Sequence, residues 1–450
     1  MKKNEICEIT ITGVTNEGNG VGRYENMAVF VPFTAVGDVI ECKIVKVKKS
    51  YAYGIVNKIL KPSDKRCESN CDVFKKCGGC AFCHFEYEEE LRVKQDFVKA
   101  SFERIGKLDV KWAEILGAEK LTGYRNKAMY PVGTNDNGEL VCGFYSRRSH
   151  RVVEYLDCNL QPDIFKSILV DVLKWCNENK VAAYDEVTHK GLLRHIYLRK
   201  GEYSDEIMVC LVVTDLNFDF SQLVTKLKDC YPNITNISLN FNKNYTNVIL
   251  GNECKTLYGK DFLTDYMCGE TFQISPLSFY QVNTKQAEKL YEIAKEYADL
   301  KEGELLLDLY CGVGTIGLSV CGENRLLGVE IIPQAIENAK INAKLNNKDN
   351  CEFICGDAGE IADQLLKRGE NPDVIIADPA RKGCDNLSLE SMVKMSPKRI
   401  VMISCNHATA ARDCAYLCEN GYNVVKGRAV DLFPRTTHVE CVLRLDKNDE

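Results

Sequence analysis

An apolar run, Leu305-Leu306-Leu307-Asp308-Leu309-Tyr310, leads straight into Cys311-Gly312-Val313-Gly314-Thr315-Ile316-Gly317 and then into a helical segment. Few arrangements besides a wound α/β sheet use such a junction. The buried strand ends at a loop whose glycines let the backbone turn sharply and approach a ligand, and the helix start offers free amide donors. Gly312, Gly314 and Gly317 satisfy G-x-G-x-x-G, and the next strand, Leu327-Gly328-Val329-Glu330, ends on an acid placed to hold ribose hydroxyls. From about residue 270 the alternation of strand, loop and helix continues, which predicts an open, mostly parallel sheet. Spacing alone leaves NAD and S-adenosylmethionine as equal readings, with a ligand-free glycine turn as the plain alternative.

At 450 residues the chain has room for about three domains. Residues 1–61 read as five short strands separated by Asn16-Glu17-Gly18-Asn19-Gly20 and Val36-Gly37-Asp38, which predicts a small OB-like barrel. Residues 62–269 hold a cysteine-dense stretch, a helical pattern from Tyr87 to Gly106, and an α+β mixture with a helix near 163–178. Residues 270–450 form the third unit. The longest apolar run, Ile207 to Val213, is far too short to span a bilayer. The start lacks a signal segment, so a cytoplasmic protein is expected, and its 23 cysteines should be mostly thiols. Net charge is −6, but residues 1–66 carry 11 basic and 7 acidic side chains, a local +4 against −10 elsewhere. Lys43, Lys46, Lys48 and Lys49 beside Tyr51 and Tyr53 suit nucleic acid as well as an ordinary exposed strand.

Two later features separate the cofactor readings. Cys355-Gly356-Asp357 follows a third strand, where a carboxylate can accept from an adenine amino group, and Val374 to Pro379 ends a fourth strand on Asp378-Pro379. That strand-end Asp-Pro resembles the substrate edge of methyltransferases that act on nucleobases. The strand Arg399 to Ser404 then delivers Cys405 at its carboxyl end, and a late strand is expected to carry His438 and Glu440 on one face. A buried structural thiol and an ordinary strand carboxylate are the plain readings of Cys405 and Glu440 taken singly.

Together, Phe279-Tyr280-Gln281-Val282-Asn283, Asp308 to Gly314, Asp378-Pro379-Ala380-Arg381-Lys382-Gly383, Ser404-Cys405-Asn406 and Phe433 to Glu440 resemble the uracil-5 RNA methyltransferases, and within them the 23S ribosomal RNA enzymes. The N-terminal barrel looks like a TRAM domain. The resemblance implies Cys405 as the nucleophile that adds to carbon 6 of uracil and Glu440 as the base that removes the carbon-5 proton. It implies S-adenosylmethionine bound through Gln281, Tyr310, Gly312, Gly314, Thr315, Glu330 and Asp378, with Asp357 on the adenine side and Arg381 orienting the base or a phosphate. The chain departs from the family at Ala380, often Pro; at Thr315, often Asn; and at His407, often Pro. His407 is a weak rival base for Cys405.

Cys71, Cys77 and Cys80 lie within ten residues, flanked by Cys67 and Cys83, and all-thiolate sets of this kind hold zinc or an iron–sulfur cluster. The residues alone do not separate the two. The family pattern matches Cys71, Cys77, Cys80 and the distant Cys158, which implies a 4Fe-4S cluster that staples the central domain. The resulting expectation is a monomer acting on RNA, with no DNA or membrane partner. Barrel and cluster favour ribosomal RNA, because the tRNA branch resembles this chain mainly in its catalytic portion. A tRNA uracil-5-methyltransferase, a nicotinamide oxidoreductase and a non-catalytic RNA-binding protein are the alternatives.

Overall fold

A computed structural model of the chain describes residues 1–448. Five strands, β1 (Ile6–Val14), β2 (Asn19–Tyr24), β3 (Met27–Pro32), β4 (Val39–Val47) and β5 (Tyr51–Lys61), close into a barrel in the order β1-β2-β3-β5-β4. Alternation decides its inside: Cys7, Ile9 and Ile11 point inward with Val29, Val31, Ile40, Cys42 and Ile44, while the intervening residues face out.

The central domain is a seven-stranded sheet in the order β12-β11-β10-β9-β6-β7-β8. Its strands are β6 (Lys127–Thr134), β7 (Leu140–Tyr145), β8 (Val152–Glu154), β9 (Leu193–Lys200), β10 (Ile207–Val213), β11 (Ile234–Phe241) and β12 (Glu253–Gly259). Helices α2 (Asp163–Glu178) and α3 (Ser221–Cys230) cover one face through Phe165, Ile168, Val172 and Leu223. The other face of β9 and β10 packs Tyr197, Met208 and Cys210 against the third domain. Burial on both faces is why β10 reads as an uninterrupted apolar run.

The third domain begins with a hairpin, β13 (Leu263–Met267) and β14 (Glu270–Ile274), and α4 (Thr284–Ala298). Its sheet runs β17-β16-β15-β18-β19-β21-β20. The first five of these, β15 (Leu305–Leu309), β16 (Arg325–Glu330), β17 (Cys351–Cys355), β18 (Val374–Ala377) and β19 (Arg399–Ser404), are parallel. β20 (Tyr422–Val430) and β21 (Glu440–Lys447) complete it, β21 antiparallel to both neighbours. Helices α5 (Thr315–Cys321) and α6 (Pro333–Leu345) join α4 on one side, and α7 (Ala358–Lys367), α8 (Asn386–Met395) and α9 (His407–Glu419) lie on the other.

Helix α1 (Tyr87–Ser101) ends in one π-helical turn, Phe102–Gly106, and belongs to this second layer. Val98, Phe102 and Val110 share a core with Ala410, Ala411, Cys414 and Leu417, and Trp112 and Leu116 bridge to Gly427 and Val430 of β20. Part of the 62–269 stretch therefore completes the third domain, since the apolar faces of α1 and α9 find burial against each other.

One expectation fails here. His438 and Glu440 do not share a strand face: β21 starts at Glu440, and His438 sits exposed in the preceding loop. Pro434 offers no amide for a ladder and Arg435 adopts a left-handed φ of 70°, so the segment cannot run as a regular strand.

Candidate active site

Sheet register gathers residues far apart in sequence. Leu309 pairs with Ala377 and Ala377 with Met402, so Tyr310, Asp378 and Cys405 leave the same carboxyl edge. Ser404 opposes Cys441 on the antiparallel β21, which sets Glu440 beside Cys405. Glu330 pairs with Cys355, bringing Glu330 and Asp357 to that edge as well.

Electrostatics couples the group. Burial, then the charges of Glu440 and Asp378, push the Cys405 thiol up to about 11, against the pull of Arg381. Burial and Asp378 push Glu440 up to about 8, again opposed by Arg381, and burial raises Asp378 to about 6. Three acids thus stand within electrostatic reach of one cation. The Arg381 carbonyl accepts from Asn406 Nδ2 at 2.8 Å, and its Nη2 lies 3.4 Å from His438 Nε2. His407 turns away: its Nδ1 is 2.7 Å from Ser101 Oγ and its ring stacks on Phe97 of α1.

The glycine loop is held in unusual backbone. Tyr310, a non-glycine residue, has φ 69°, and Gly314 caps α5 at φ 85°. Gly317 must be glycine because a Cβ there would stand 2.7 Å from Asp308 Oδ2, which accepts from the Gly317 amide at 2.8 Å. The other Asp308 oxygen is buried without a hydrogen-bond partner among the described residues, and burial raises this carboxyl to about 8. Asp308 was legible only as a letter in a motif; its acid in an otherwise apolar run was the available signal. Glu330 accepts from the Gly312 and Ile332 amides at 3.2 and 3.0 Å, which fixes its carboxylate under the loop. Gly312 opens onto free space, and Ile331 and Leu387 are 62% and 40% exposed beside Glu330 and α7. That combination of open glycine loop, fixed carboxylate and bare apolar side chains fits an adenosyl cofactor.

Three other expected cofactor residues have additional structural partners. Asp357 caps α7, accepting from Gly359 and Glu360 amides. Thr315 Oγ1 lies 3.2 Å from Tyr291 Oη of α4. Gln281 is nearly buried, its carbonyl accepting from Asn126 Nδ2 at 2.8 Å.

The loop that delivers Glu440 is fastened from behind. Lys94 Nζ, fully buried, donates to Glu90 Oε1 and Asp431 Oδ1, each at 2.7 Å, and to the Phe433 carbonyl at 3.1 Å. Tyr87 Oη donates to Asp431 Oδ2 at 2.9 Å, and the Arg435 amide to Glu90 Oε1 at 2.6 Å. Sequence reading missed this network because its halves lie more than 330 residues apart. Lys94→Met should leave buried Asp431 without its cation and Glu90 with only the longer, 3.4 Å contact to Arg435, and lower stability by about 3–5 kcal/mol. A urea midpoint equal to that of the wild type refutes this.

Among the described residues, no three His, Cys, Asp or Glu side chains converge on one ion position. The structure nevertheless draws Cys158 to Cys77 and Cys80, and Cys71 to the same pair, close enough for their charges to interact. Cys83 lies close enough to Cys80 to raise its thiol, whereas Cys67 donates to the Phe85 carbonyl at 3.0 Å, apart from the group. Burial raises Cys158 to about 12, so four thiolates would need a compensating centre. Arg125 and Arg147, whose charges act on these thiols, each bury an Nε without an acceptor. Thiols in that number beside unsatisfied guanidinium donors fit a cluster of net negative charge, whose cysteines bind separate irons and need not converge on one point.

A groove of about 730 Å³ links barrel and catalytic loop. It is lined by Lys46, Lys48, Tyr51, Tyr53, Arg147 and Arg148 on one side and by Thr437 and His438 on the other. Phe30, Tyr51 and Tyr53 form a ring cluster with centroids 5.5–5.8 Å apart.

Residues 86–448 match the family described as tRNA (Uracil-5-)-methyltransferase, and residues 2–56 match the TRAM domain. A Clostridium tetani protein described as an uncharacterized RNA methyltransferase is 42% identical over 445 residues, covering 98% of this chain and 96% of the relative. A Staphylococcus epidermidis protein of the same description is 40% identical over 453 residues, covering 100% and 99%. Among solved structures, Pyrococcus abyssi tRNA (uracil-54, C5)-methyltransferase in complex with S-adenosyl-L-homocysteine is similar with a TM-score of 0.79 at 26% identity, covering 97% of this chain and 99% of that one. The expectation that tRNA enzymes match mainly in the catalytic portion is thereby overturned: a tRNA enzyme matches over nearly the whole length.

Proposed function

The chain belongs to the tRNA (uracil-5-)-methyltransferase family, and from that premise we propose that it methylates carbon 5 of a uridine in RNA through a covalent adduct of Cys405. The carrying observation is the register that opposes Ser404 to Cys441 and so brings Cys405 and Glu440 into charge contact at the strand ends beside the glycine loop. Carbon 5 of uracil is a poor nucleophile. Addition of the Cys405 thiolate to carbon 6 pushes the double-bond electrons onto carbon 5 and its neighbouring carbonyl. S-adenosylmethionine, when bound, supplies the electrophilic methyl group that carbon 5 takes. The Glu440 carboxylate then accepts the carbon-5 proton, the C–H electrons re-form the double bond, and the Cys405 thiolate leaves. Arg381, the nearby cation, favours the anionic forms of Cys405 and Glu440. Gln281, Tyr310, Gly312, Gly314, Thr315, Glu330, Asp357 and Asp378 hold the methyl donor in this reading. The mechanism needs a reduced thiol, which the cytoplasm maintains, and a monomer carries every group it uses.

The finer reading is 23S ribosomal RNA. A second reading, transfer RNA, is favoured by the full-length likeness to the Pyrococcus abyssi enzyme. Labelled S-adenosylmethionine incubated with 23S transcripts and with tRNA, followed by nucleoside mass spectrometry, decides. Labelled 5-methyluridine in 23S RNA is the expected result; label in tRNA alone moves the assignment to the second reading, and label in neither overturns the function.

The 4Fe-4S cluster on Cys71, Cys77, Cys80 and Cys158 is supported by the thiol grouping and the two unsatisfied guanidinium donors. Its role here is structural, joining the Cys71–Cys80 segment to the Cys158 loop; methyl transfer has no redox step. Anaerobically purified protein should contain about four irons per chain and absorb in the visible, and Cys158→Ser should lose most of both. Zinc in place of iron, or no metal at all, removes the assignment.

A further inference from the structure

A second cleft, of about 480 Å³, opens in the central domain among β6 to β9 and the turn near residue 185. The chain has only six histidines, yet His150 and His195 line this cleft and His189 Nδ1 lies 3.0 Å from the hydroxyl of Tyr184 on its wall. His195 is 5% exposed, and neither ring nitrogen has a hydrogen-bond partner among the described residues. Arg194, equally buried, donates through Nη1 to the carbonyls of Asn242 and Asn244 and lies over the Tyr184 ring at 4.3 Å, but its Nε also lacks an acceptor. Buried polar atoms left unpaired are costly, so three of them on two adjacent residues that line one cavity point to a polar ligand.

The chemistry of the walls narrows that ligand. Burial, then Arg194, lowers His195 to about 4, so the ring is neutral and offers one donor and one acceptor. Tyr145 stacks on His150 with centroids 5.0 Å apart and meets His195 edge-on at 6.5 Å, supplying flat faces. Asp136, Glu154 and Asp185 also line the cleft, and Glu186 holds His150 Nδ1 at 2.6 Å; these four acids outnumber the lining Arg151 and Arg194, which disfavours a phosphate inside it. The occupant that fits is a planar, uncharged, hydrogen-bonding ring. The turn between β7 and β8 connects the two cavities: Arg147 and Arg148 face the barrel groove, while His150 and Arg151 face the cleft. A strand whose phosphates cross Arg147 and Arg148 would present a neighbouring base to His195.

We propose that this cleft holds an unpaired nucleobase of the RNA substrate, distinct from the reacting uridine, and so takes part in choosing the RNA. The proposal rests on the function assigned above and deepens it. The test uses the full-length protein and a single-stranded random-sequence 20-nucleotide RNA carrying 4-thiouridine, cross-linked with near-ultraviolet light and mapped by peptide mass spectrometry. Cross-links are expected at Tyr145, His150 or Tyr184 as well as in the catalytic domain; catalytic-domain cross-links with none in 132–154 and 184–195 overturn the proposal. His195→Phe keeps the ring and removes both nitrogens, and should weaken binding of the same RNA about tenfold, the loss of one base contact. His150→Ala, at an exposed position that does not endanger folding, should do likewise, and unchanged affinity in this variant overturns the proposal equally. Formation of 5-methyluridine by a protein whose cleft stays silent sinks only this inference, whereas absence of methylation sinks the function itself.

Discussion

Cys405→Ala should abolish 5-methyluridine formation, a loss of at least roughly 10⁴-fold of the size seen when a covalent nucleophile is deleted. Without addition at carbon 6 there is no electron-rich carbon 5 to take a methyl group, so binding of RNA and cofactor cannot rescue the rate. The fold should survive. Ser404 Oγ and the Asn406 backbone hydrogen-bond each other across the position, and Asn406 still caps α9 and holds the Arg381 carbonyl. Loss of the thiol also removes one of three mutually repelling acids. RNA carrying 5-fluorouridine supplies the complementary observation. Carbon 5 then has no proton for Glu440 to remove, so the wild type should remain bonded to RNA through Cys405 on a denaturing gel, and Cys405→Ala should not. Residual turnover by the variant, or a fluorouridine adduct mapped to another cysteine, ends the assignment.

Glu440→Gln should act later in the cycle. With Cys405 intact the adduct still forms, but proton removal fails: turnover should fall about 10²–10⁴-fold, and ordinary uridine-containing RNA should accumulate as a covalent complex. The same substitution has a stability signature of opposite sign. Burial and Asp378 raise Glu440 from its ordinary 4.5 to about 8, so between those values the folded protein holds a proton that the unfolded chain releases. Stability therefore falls as pH climbs from 4.5 to 8, and the full cost is present above 8. Glutamine never ionises. At pH 8.5 the variant should melt roughly 4 °C or more above the wild type, and the gap should close as pH drops toward 4.5. Wild-type kcat/KM should meanwhile rise through pH 8 as Glu440 becomes a carboxylate, and keep rising while the Cys405 thiol, held near 11, ionises. A rate flat between pH 6 and 9 contradicts both roles at once.

Local signals carried much of the architecture. Asp163–Glu178 is a helix where its apolar spacing demanded one, and Ile207–Val213 is a strand buried on both faces. The glycine junction has the left-handed backbone its residues suggested, at Gly312 and Gly314. Signals that depend on distant partners were illegible. The placement of α1 against α9, the exposed position of His438, and the Lys94 pairing with Asp431 follow from burial between segments separated by hundreds of residues. The unpaired nitrogens of His195 left no trace either, since a histidine in a strand reads the same whether or not a partner reaches it.

Residue chemistry and short-range periodicity by themselves determined the kind of sheet and the glycine turn at its edge, while the thiol and carboxylate proposed as reactive groups were singled out only by the resemblance of their motifs to a family. Tertiary structure alone decided what those groups are: how strongly each holds its proton, and which basic turn links the groove to the second cleft. Periodicity is a property of neighbours along the chain, whereas desolvation and charge coupling depend on every atom within several ångströms, and the fold chooses those atoms from all parts of the sequence.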